Sequence, residues 1–315
     1  MIRVRVYDPA TSQGKAGGEE LLDGPGIKWI DILKPDLAQM ERLATRYGLH
    51  RLAIEDTLQL DQRPKLEEYP NHQFIVLQGF SCPGPIDGLV LHEMHFFLGP
   101  DWLVSVHDIQ HEAIDAVHKR LDADLAGNLG RGADFVCYLI SDALMDRNFP
   151  LLDRFNDELE DLETAIFDNP KRELLQRAFA LKRSLVRVRR VLSPQRDVVG
   201  MLARHGVNNV QEKTTLYFRD VYDHLVRLYE QIDAARDLLG NAMEGYLSVV
   251  ANKTNEITKQ LTLFASIFMP LSFLVGFFGM NFENLARPVF FWPTIGVIGV
   301  LPVLLIAYFI KRGWL

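Results

Sequence analysis

Leu261–Met280 reads LTLFASIFMPLSFLVGFFGM, without one charged side chain. As a helix, about 20 residues rise roughly 30 Å, the thickness of a bilayer's hydrocarbon core. A second uncharged run, Pro288–Ile310 (PVFFWPTIGVIGVLPVLLIAYFI), is long enough to do the same. The polar stretch NFENLAR separates them and KRGWL ends the chain. A buried helical hairpin of a soluble protein is the alternative, but two adjacent runs this long and this free of charge favour two membrane spans, 261–280 and 288–310. Lys253 and Lys259 precede the first span, and Lys311 with Arg312 follow the second; the intervening loop holds one Glu283 and one Arg287. The positive-inside bias then puts both ends in the cytoplasm, residues 281–287 outside and the basic tail 311–315 inside.

The rest of the chain has the composition of a soluble protein. Of 315 residues, 24% are charged, and the net charge of −7 lacks the basic field of a nucleic-acid binder. The two cysteines, Cys82 and Cys137, have no CxxC spacing, so neither a disulfide framework nor a cysteine zinc cluster is expected. MIRVRVYDPA has no apolar h-region, so no signal peptide is expected. Strand patterns fall at Ile2–Tyr7, Gln73–Gln78, Glu93–Leu98 and Trp102–Val106, and helical ones at Asp36–Tyr47 and Leu52–Leu58. After His107 the chain reads as helices broken near Gly130, Pro170, Pro194 and Gly206. Residues 1–210 are therefore expected to form an α/β domain that includes a helical hairpin at about 150–205. Acids between Asp153 and Asp168 would face the basic residues of 171–196 across that hairpin. From Thr214 to Pro270 there is no internal proline, which predicts one long helix, a stalk over 211–260 that runs straight into the first span. A helix of that length needs neighbours, hence an oligomer.

Stepping three and four residues along this helix from Asn255 meets Thr258, Thr262, Ala265, Met269, Ser272 and Gly276, all small, polar or flexible. The same step backward meets Ala251, Ser248, Glu244, Asn241 and Asp237, so the stripe turns acidic toward the cytoplasm. Small residues on one helix face can signify close helix packing. Hydroxyls and amides at bilayer depth point instead to a water-lined path, enclosed by several copies of the helix around an axis. At its outer end stand Gly279, Met280 and Asn281. Glycine permits the backbone conformation that ends a helix, helix C-termini offer free carbonyls, and an Asn amide oxygen is a neutral, hard acceptor. Mg2+ gives up its waters reluctantly, so a ring of such oxygens could hold it hydrated.

Motifs for catalysis are missing: there is no GxxxxGK[ST], GxSxG, HExxH or GxGxxG, and HEMH at His92–His95 lies in a strand pattern that turns its histidines opposite ways. No catalytic residue is assigned. His111, Asp115 and His118 could share a helix face and bind zinc, although a solvated amphipathic helix explains them as well.

The GMN of Gly279–Asn281 within IFMPLSFLVGFFGMNFE, with SVVANKTNEITKQLT, FRDVYDH at Phe218–His224, EDTLQLDQRPKLEEY from Glu55 and the terminal KRGWL, resembles the CorA family of magnesium and cobalt transport proteins over nearly the whole chain. The resemblance implies an α+β cytosolic domain, with a mixed sheet and helices on both sides, on a long stalk helix with two C-terminal transmembrane helices, assembled as a homopentamer in the inner or plasma membrane. It implies Gly279, Met280 and Asn281 as the selectivity filter and Asn255, Thr258, Leu261, Thr262, Ala265, Met269, Ser272 and Gly276 as pore lining and gate. It further implies a subunit-bridging regulatory Mg2+ site at Asp56 and Glu244, and a neighbouring one at Glu55, Asp142, Asp220 and His224. Divalent cations would be both substrate and regulator, with no other cofactor. Alternatives are transport of Zn2+ or Ni2+, and a membrane-anchored scaffold or sensor without flux. Met280 leans toward Mg2+ or Co2+, because a zinc-transporting branch of the superfamily carries Ile there. Glu244 stands where the family commonly has Asp, and the loop with Arg287 departs from the family's acidic loop.

Overall fold

A computed structural model describes residues 1–59, 61–280 and 288–314. It divides into two units: Met1–Ala165 with Lys171–Met243, and Ile166–Pro170 with Glu244–Leu315. The first holds a seven-stranded sheet of β1 (Ile2–Asp8), β2 (Gln13–Gly17), β3 (Ile27–Leu33), β4 (Lys65–Glu68), β5 (Gln73–Ser81), β6 (Val90–Leu98) and β7 (Trp102–His107), in the order β2-β1-β3-β7-β6-β5-β4. Only β3 and β7 run parallel; every other neighbouring pair is antiparallel. A parallel pair needs a crossover, and this one contains α1 (Leu37–Tyr47) and α2 (Arg51–Leu58).

Those two helices cover one face of the sheet. Met40, Leu43, Ala53 and Ile54 join Val4, Ile30, Ile32, Phe74, Val76, Phe97 and Val104 in one buried cluster. The start of α1 is fixed locally by a capping box, in which Asp36 accepts from the Gln39 N–H at 2.7 Å and the Gln39 side chain accepts from the Asp36 N–H. It ends at Gly48, whose φ of 66° is the left-handed conformation glycine adopts without penalty. The opposite face carries Trp29, Ile75, Leu77, Phe96 and Leu103, covered by α3 (Glu112–Ala123), α5 (Ala133–Asp146) and α7 (Arg172–Leu202). The short α4 (Leu125–Asn128) and the 20-residue α6 (Phe149–Asp168) complete the elements ahead of α7.

Three strands carry no clear signal in the sequence. β3, IKWIDIL, is buried on both faces, so hydrophobicity does not alternate, and Lys28 and Asp31 interrupt the run. β2 and β4 are exposed or charged edge strands, held by their register on β1 and β5. The break expected at Pro194 is absent: α7 continues through it, because Val191, Leu192, Gln195, Val198 and Val199 are packed on either side. Of the charges expected to face each other across α6 and α7, one pair meets within ion-pair distance. Among the described residues a single ion pair, Arg177–Glu158 at 2.9 Å, joins the two helices, while Arg189 pairs at 2.7 Å with Asp233.

The long helix is α8, Glu212–Phe278, and α9 spans Pro288–Lys311. Within the first unit α8 buries Phe218, Val221, Leu225, Leu228, Ile232, Ala235, Leu239 and Ala242, an unbroken alternation of three- and four-residue steps. Within the second unit it carries the first hydrophobic run. The apolar window of α8 has a mean hydropathy of 2.1 and that of Trp292–Lys311 one of 2.3, yet only 6% of each window is buried. Helices this apolar and this uncovered suit a lipid solvent. Pro270, Pro293 and Pro302 lie inside these helices, a pattern tolerated in membrane spans.

Candidate ion path and cation-binding residues

Asn255, Thr258, Leu261, Thr262, Ala265, Met269, Ser272 and Gly276 are all exposed in the second unit, Leu261 at 64% and Met269 at 72%. The buried or half-buried positions of the same stretch are Lys259, Leu263, Ser266, Ile267, Pro270, Leu271, Leu274 and Phe278, on a different side of the helix. That side meets the end of α9, where Lys259 Nζ donates to the Gly313 carbonyl at 3.3 Å. The stripe of small and polar residues is therefore not the surface on which the two apolar helices of one chain pack. A Cβ added at Gly276 would meet nothing within 4 Å. The Thr262 hydroxyl donates to the Thr258 carbonyl at 2.8 Å, which satisfies its proton inside the helix and leaves its lone pairs pointing outward. A surface of oxygen lone pairs attracts a cation or its water shell.

The stripe continues down α8 through exposed Ser248, Glu244, Asn241 and Asp237, opposite the buried face. At the other end, the Gly279 N–H bonds the Val275 carbonyl at 2.9 Å and the Met280 N–H bonds that of Phe277 at 3.3 Å. Two carbonyls of the last turn thus already have partners. Gly279 is not in the left-handed region expected of a helix-ending glycine. Its constraint is space, since a Cβ there would meet the Val275 oxygen at 2.9 Å. Met280 is 53% exposed, whereas Asn281, Glu283 and Arg287 lie outside the described residues.

In the first unit the carboxylates occupy two places. Near the end of α2, exposed Glu55 accepts from the Gln59 side chain at 3.3 Å. Half-buried Asp56 is ion-paired through Oδ2 with Lys65 Nζ at 2.5 Å. Lys65 also reaches Glu67 Oε1 at 2.8 Å and lies over the Phe74 ring, 5.5 Å from its centroid. Glu67 in turn accepts from the Tyr69 hydroxyl at 2.8 Å. Burial opposes the charge of Lys65, but the bonds to Asp56 and Glu67 outweigh it and raise its pKa above the usual lysine value.

The second place joins α5 and α8. Ligand atoms of Asp142, Asp220 and His224 all lie within 4.8 Å of one another. Asp146, one turn beyond Asp142, approaches His224 Nδ1 at 3.3 Å, and His224 Nε2 lies 3.9 Å from Asp220. Burial, then repulsion from Asp146, raises the pKa of Asp142 above that of an ordinary carboxyl. Oxygen and imidazole ligands around a carboxylate that resists ionising are what a divalent cation relieves. Glu55 does not join this group within the chain. Asp146 was not expected from the sequence, although its four-residue spacing from Asp142 on one helix was visible there. Glu244 is exposed on the part of α8 that belongs to the second unit.

His111, Asp115 and His118 do not form a zinc site, and their helix is not simply solvated. His111 caps α3 by accepting the Ala113 N–H, and Asp115 pairs with Arg3 at 3.0 Å. His118 is buried, stacked on Trp29 and bonded to Asp31 at 3.0 Å. Asp31 also accepts from Ser105 at 2.7 Å, His107 at 3.0 Å and Arg3 at 2.9 Å. Burial alone would raise its pKa; the His107 and His118 bonds outweigh it and hold the carboxyl far below its usual range. His107 donates from both ring nitrogens, the second to the Ile109 carbonyl at 2.6 Å, which fits an imidazolium and a raised pKa in spite of burial. His118 has a single partner for its ring nitrogens, and burial lowers its pKa. Within HEMH, His92 meets the Ser81 hydroxyl and His95 meets Glu93, so the two histidines serve different neighbours.

The family profile described as CorA-like Mg2+ transporter protein matches residues 24–312. The cobalt/magnesium transport protein CorA of Thermotoga maritima is 35% identical over 293 residues, covering 91% of this chain and 83% of that protein. The complete structure of the CorA magnesium transporter from Methanocaldococcus jannaschii superposes with a TM-score of 0.85 at 22% identity, over 100% of this chain and 99% of that one. With a mixed sheet, a 67-residue helix that ends in an apolar run and a second apolar helix after it in place, the chain belongs to the CorA-like Mg2+ transporter family.

Proposed function

We propose that this chain is one subunit of a homo-oligomeric, pentameric channel that carries Mg2+, and secondarily Co2+, across the cell's inner or plasma membrane, with both termini cytoplasmic. The observation that carries this reading is the stripe from Asn255 to Gly276. It is made of small and polar residues broken by Leu261 and Met269, follows the helical period, runs into the uncharged stretch 261–280 and is left uncovered by the chain's own second apolar helix. Copies of α8 that turn this stripe to a shared axis enclose a path that no single chain can. Leu261 and Met269 interrupt it with large apolar side chains, which close a narrow pore by excluding water. Asn281, one residue beyond Met280, supplies the outer ring of amide oxygens that holds the hydrated ion.

Cytosolic Mg2+ acts on the same protein as regulator. Bound between Asp56 and Glu244 of neighbouring copies, and at Asp142, Asp220 and His224, it stabilises the closed arrangement by mass action. Its loss removes that bias and the pore opens. The test is flux in proteoliposomes. Asn281→Ala is expected to abolish Mg2+ uptake, with competing Co2+, Ni2+ and Zn2+ ranking the ion preference on the unaltered protein; normal uptake by Asn281→Ala takes Asn281 out of the filter.

A further inference from the structure

The Asp56 carboxylate is not an open ligand waiting for a divalent cation. Its Oδ2 is already in contact with the Lys65 ammonium at 2.5 Å, and its other oxygen has no partner among the described residues. Lys65 is not a loose surface side chain. It sits on β4, whose register places it opposite Val76 of β5, and only 26% of its side chain is exposed. Its ammonium is fixed from three sides by Asp56, by Glu67 at 2.8 Å and by the Phe74 ring. Glu67 is itself held by the Tyr69 hydroxyl. An ammonium pinned this way interacts with Asp56 at little further loss of conformational freedom, unlike a flexible lysine at the surface.

We infer that Lys65 is a tethered counter-cation that neutralises Asp56 when no divalent cation is bound, and so sets the cytosolic Mg2+ concentration at which the channel closes. This rests on the reading of Asp56 as a regulatory ligand and deepens it. A cation that binds Asp56 does so against a positive charge already in contact with the carboxylate. Glu67 gives that charge somewhere to go, because Nζ keeps one carboxylate when it yields the other. Asp56 is not left as a bare negative charge when Mg2+ departs, so opening follows from loss of the bridging ion.

Two substitutions beside Asp56 are expected to act with opposite sign. Lys65→Met keeps the apolar stem over Phe74 and removes the charge. Glu67→Gln removes the alternative carboxylate and leaves Lys65 on Asp56. The measurement is protection of the purified full-length protein from limited proteolysis as a function of Mg2+ concentration, with Lys65→Arg as the charge-preserving control and Asp56→Asn as the reference. The expected midpoint falls about tenfold for Lys65→Met, given a pair only a quarter exposed. It rises for Glu67→Gln, stays near that of the unaltered protein for Lys65→Arg, and rises for Asp56→Asn whether or not Lys65 is also replaced. Lys65→Gln serves if Lys65→Met does not fold. An unchanged or raised midpoint for both neutral variants, beside a shifted Asp56→Asn, overturns the inference and leaves the regulatory site standing. An unchanged midpoint for Asp56→Asn overturns both.

Discussion

Asp31 and Ser272 are both polar side chains on regular elements, and the protein treats them in opposite ways. Asp31 lies in β3, an interior strand of the sheet, 1% exposed, with Arg3, Ser105, His107 and His118 all donating to it from within the same chain. Ser272 lies on an apolar helix, exposed, with Thr262 above it and Gly276 beyond on the same face. The first group is complete and does a structural job, since it ties β1, β3, β7 and α3 together. The second is complete only when water, an ion or further copies of the helix are added. Where polar groups are saturated by other elements of the chain they report on stability; where they recur at the helical period on an exposed face they are candidates for function. The Asp142, Asp220 and His224 group stands between the two, assembled by the chain, with burial and then Asp146 raising the pKa of Asp142.

This contrast is testable at each place, and Asp31 has the largest expected effect. Asp31→Ala leaves a guanidinium and an imidazolium without their carboxylate, which costs about 3–5 kcal/mol of folding stability in a buried network. Thermal unfolding of the purified protein measures it; a change within experimental error would mean that the cluster is not structural. The sign of its pH dependence is set by Asp31, His107 and His118 together. Asp31, depressed when folded, stabilises above the ordinary carboxylate range and loses that as pH falls through its folded value. His107, raised when folded, stabilises below the ordinary histidine range and loses that as pH rises through its folded value. His118, lowered when folded, adds a loss as pH falls below the ordinary histidine range, so the network is strongest around that range and weakens on either side of it.

Gly276→Leu makes the opposite kind of test. A Cβ there meets nothing within 4 Å in the chain, so the unfolding temperature of the first unit should not move, whereas Mg2+ flux should fall at least about tenfold if the stripe lines the path. Unaltered flux would place the stripe away from the ion. The smallest effect belongs to the intermediate group. Asp142, with its pKa raised when folded, adds a penalty that is absent at low pH and grows as pH rises through that raised value. Asp142→Asn removes the penalty, so without divalent cations at neutral pH the variant should melt no lower than the unaltered protein, and Mg2+ should raise its melting temperature by less. A full Mg2+ response in Asp142→Asn would show that this carboxylate does not take part in binding.

How legible these places are depends on the range of the forces involved. The spans and the stripe are local: uncharged length and a period of 3.6 residues are written directly into LTLFASIFMPLSFLVGFFGM. The capped start of α1 and the strands β5, β6 and β7 are local too. β3 is not, because a strand buried on both faces has no alternation, and the Asp31 that interrupts it makes sense only beside two histidines and a serine more than 70 residues away. The helical hairpin illustrates a different failure. Opposite charges on consecutive helices suggest pairing along their length, yet among the described residues one ion pair, Arg177–Glu158, links them.

By itself, then, the amino-acid order settled the solvent of each part of the chain, the run of the long helix and the face on which its polar groups recur, because hydrophobic length and helical period are properties of a contiguous segment. Tertiary structure alone decided which charged groups are already occupied. That Asp31 belongs to two histidines, Asp56 to Lys65, and Asp142 to a group with Asp220 and His224 depends on distances between separate elements, and electrostatic pairing falls off too steeply with distance to be read from spacing along the chain.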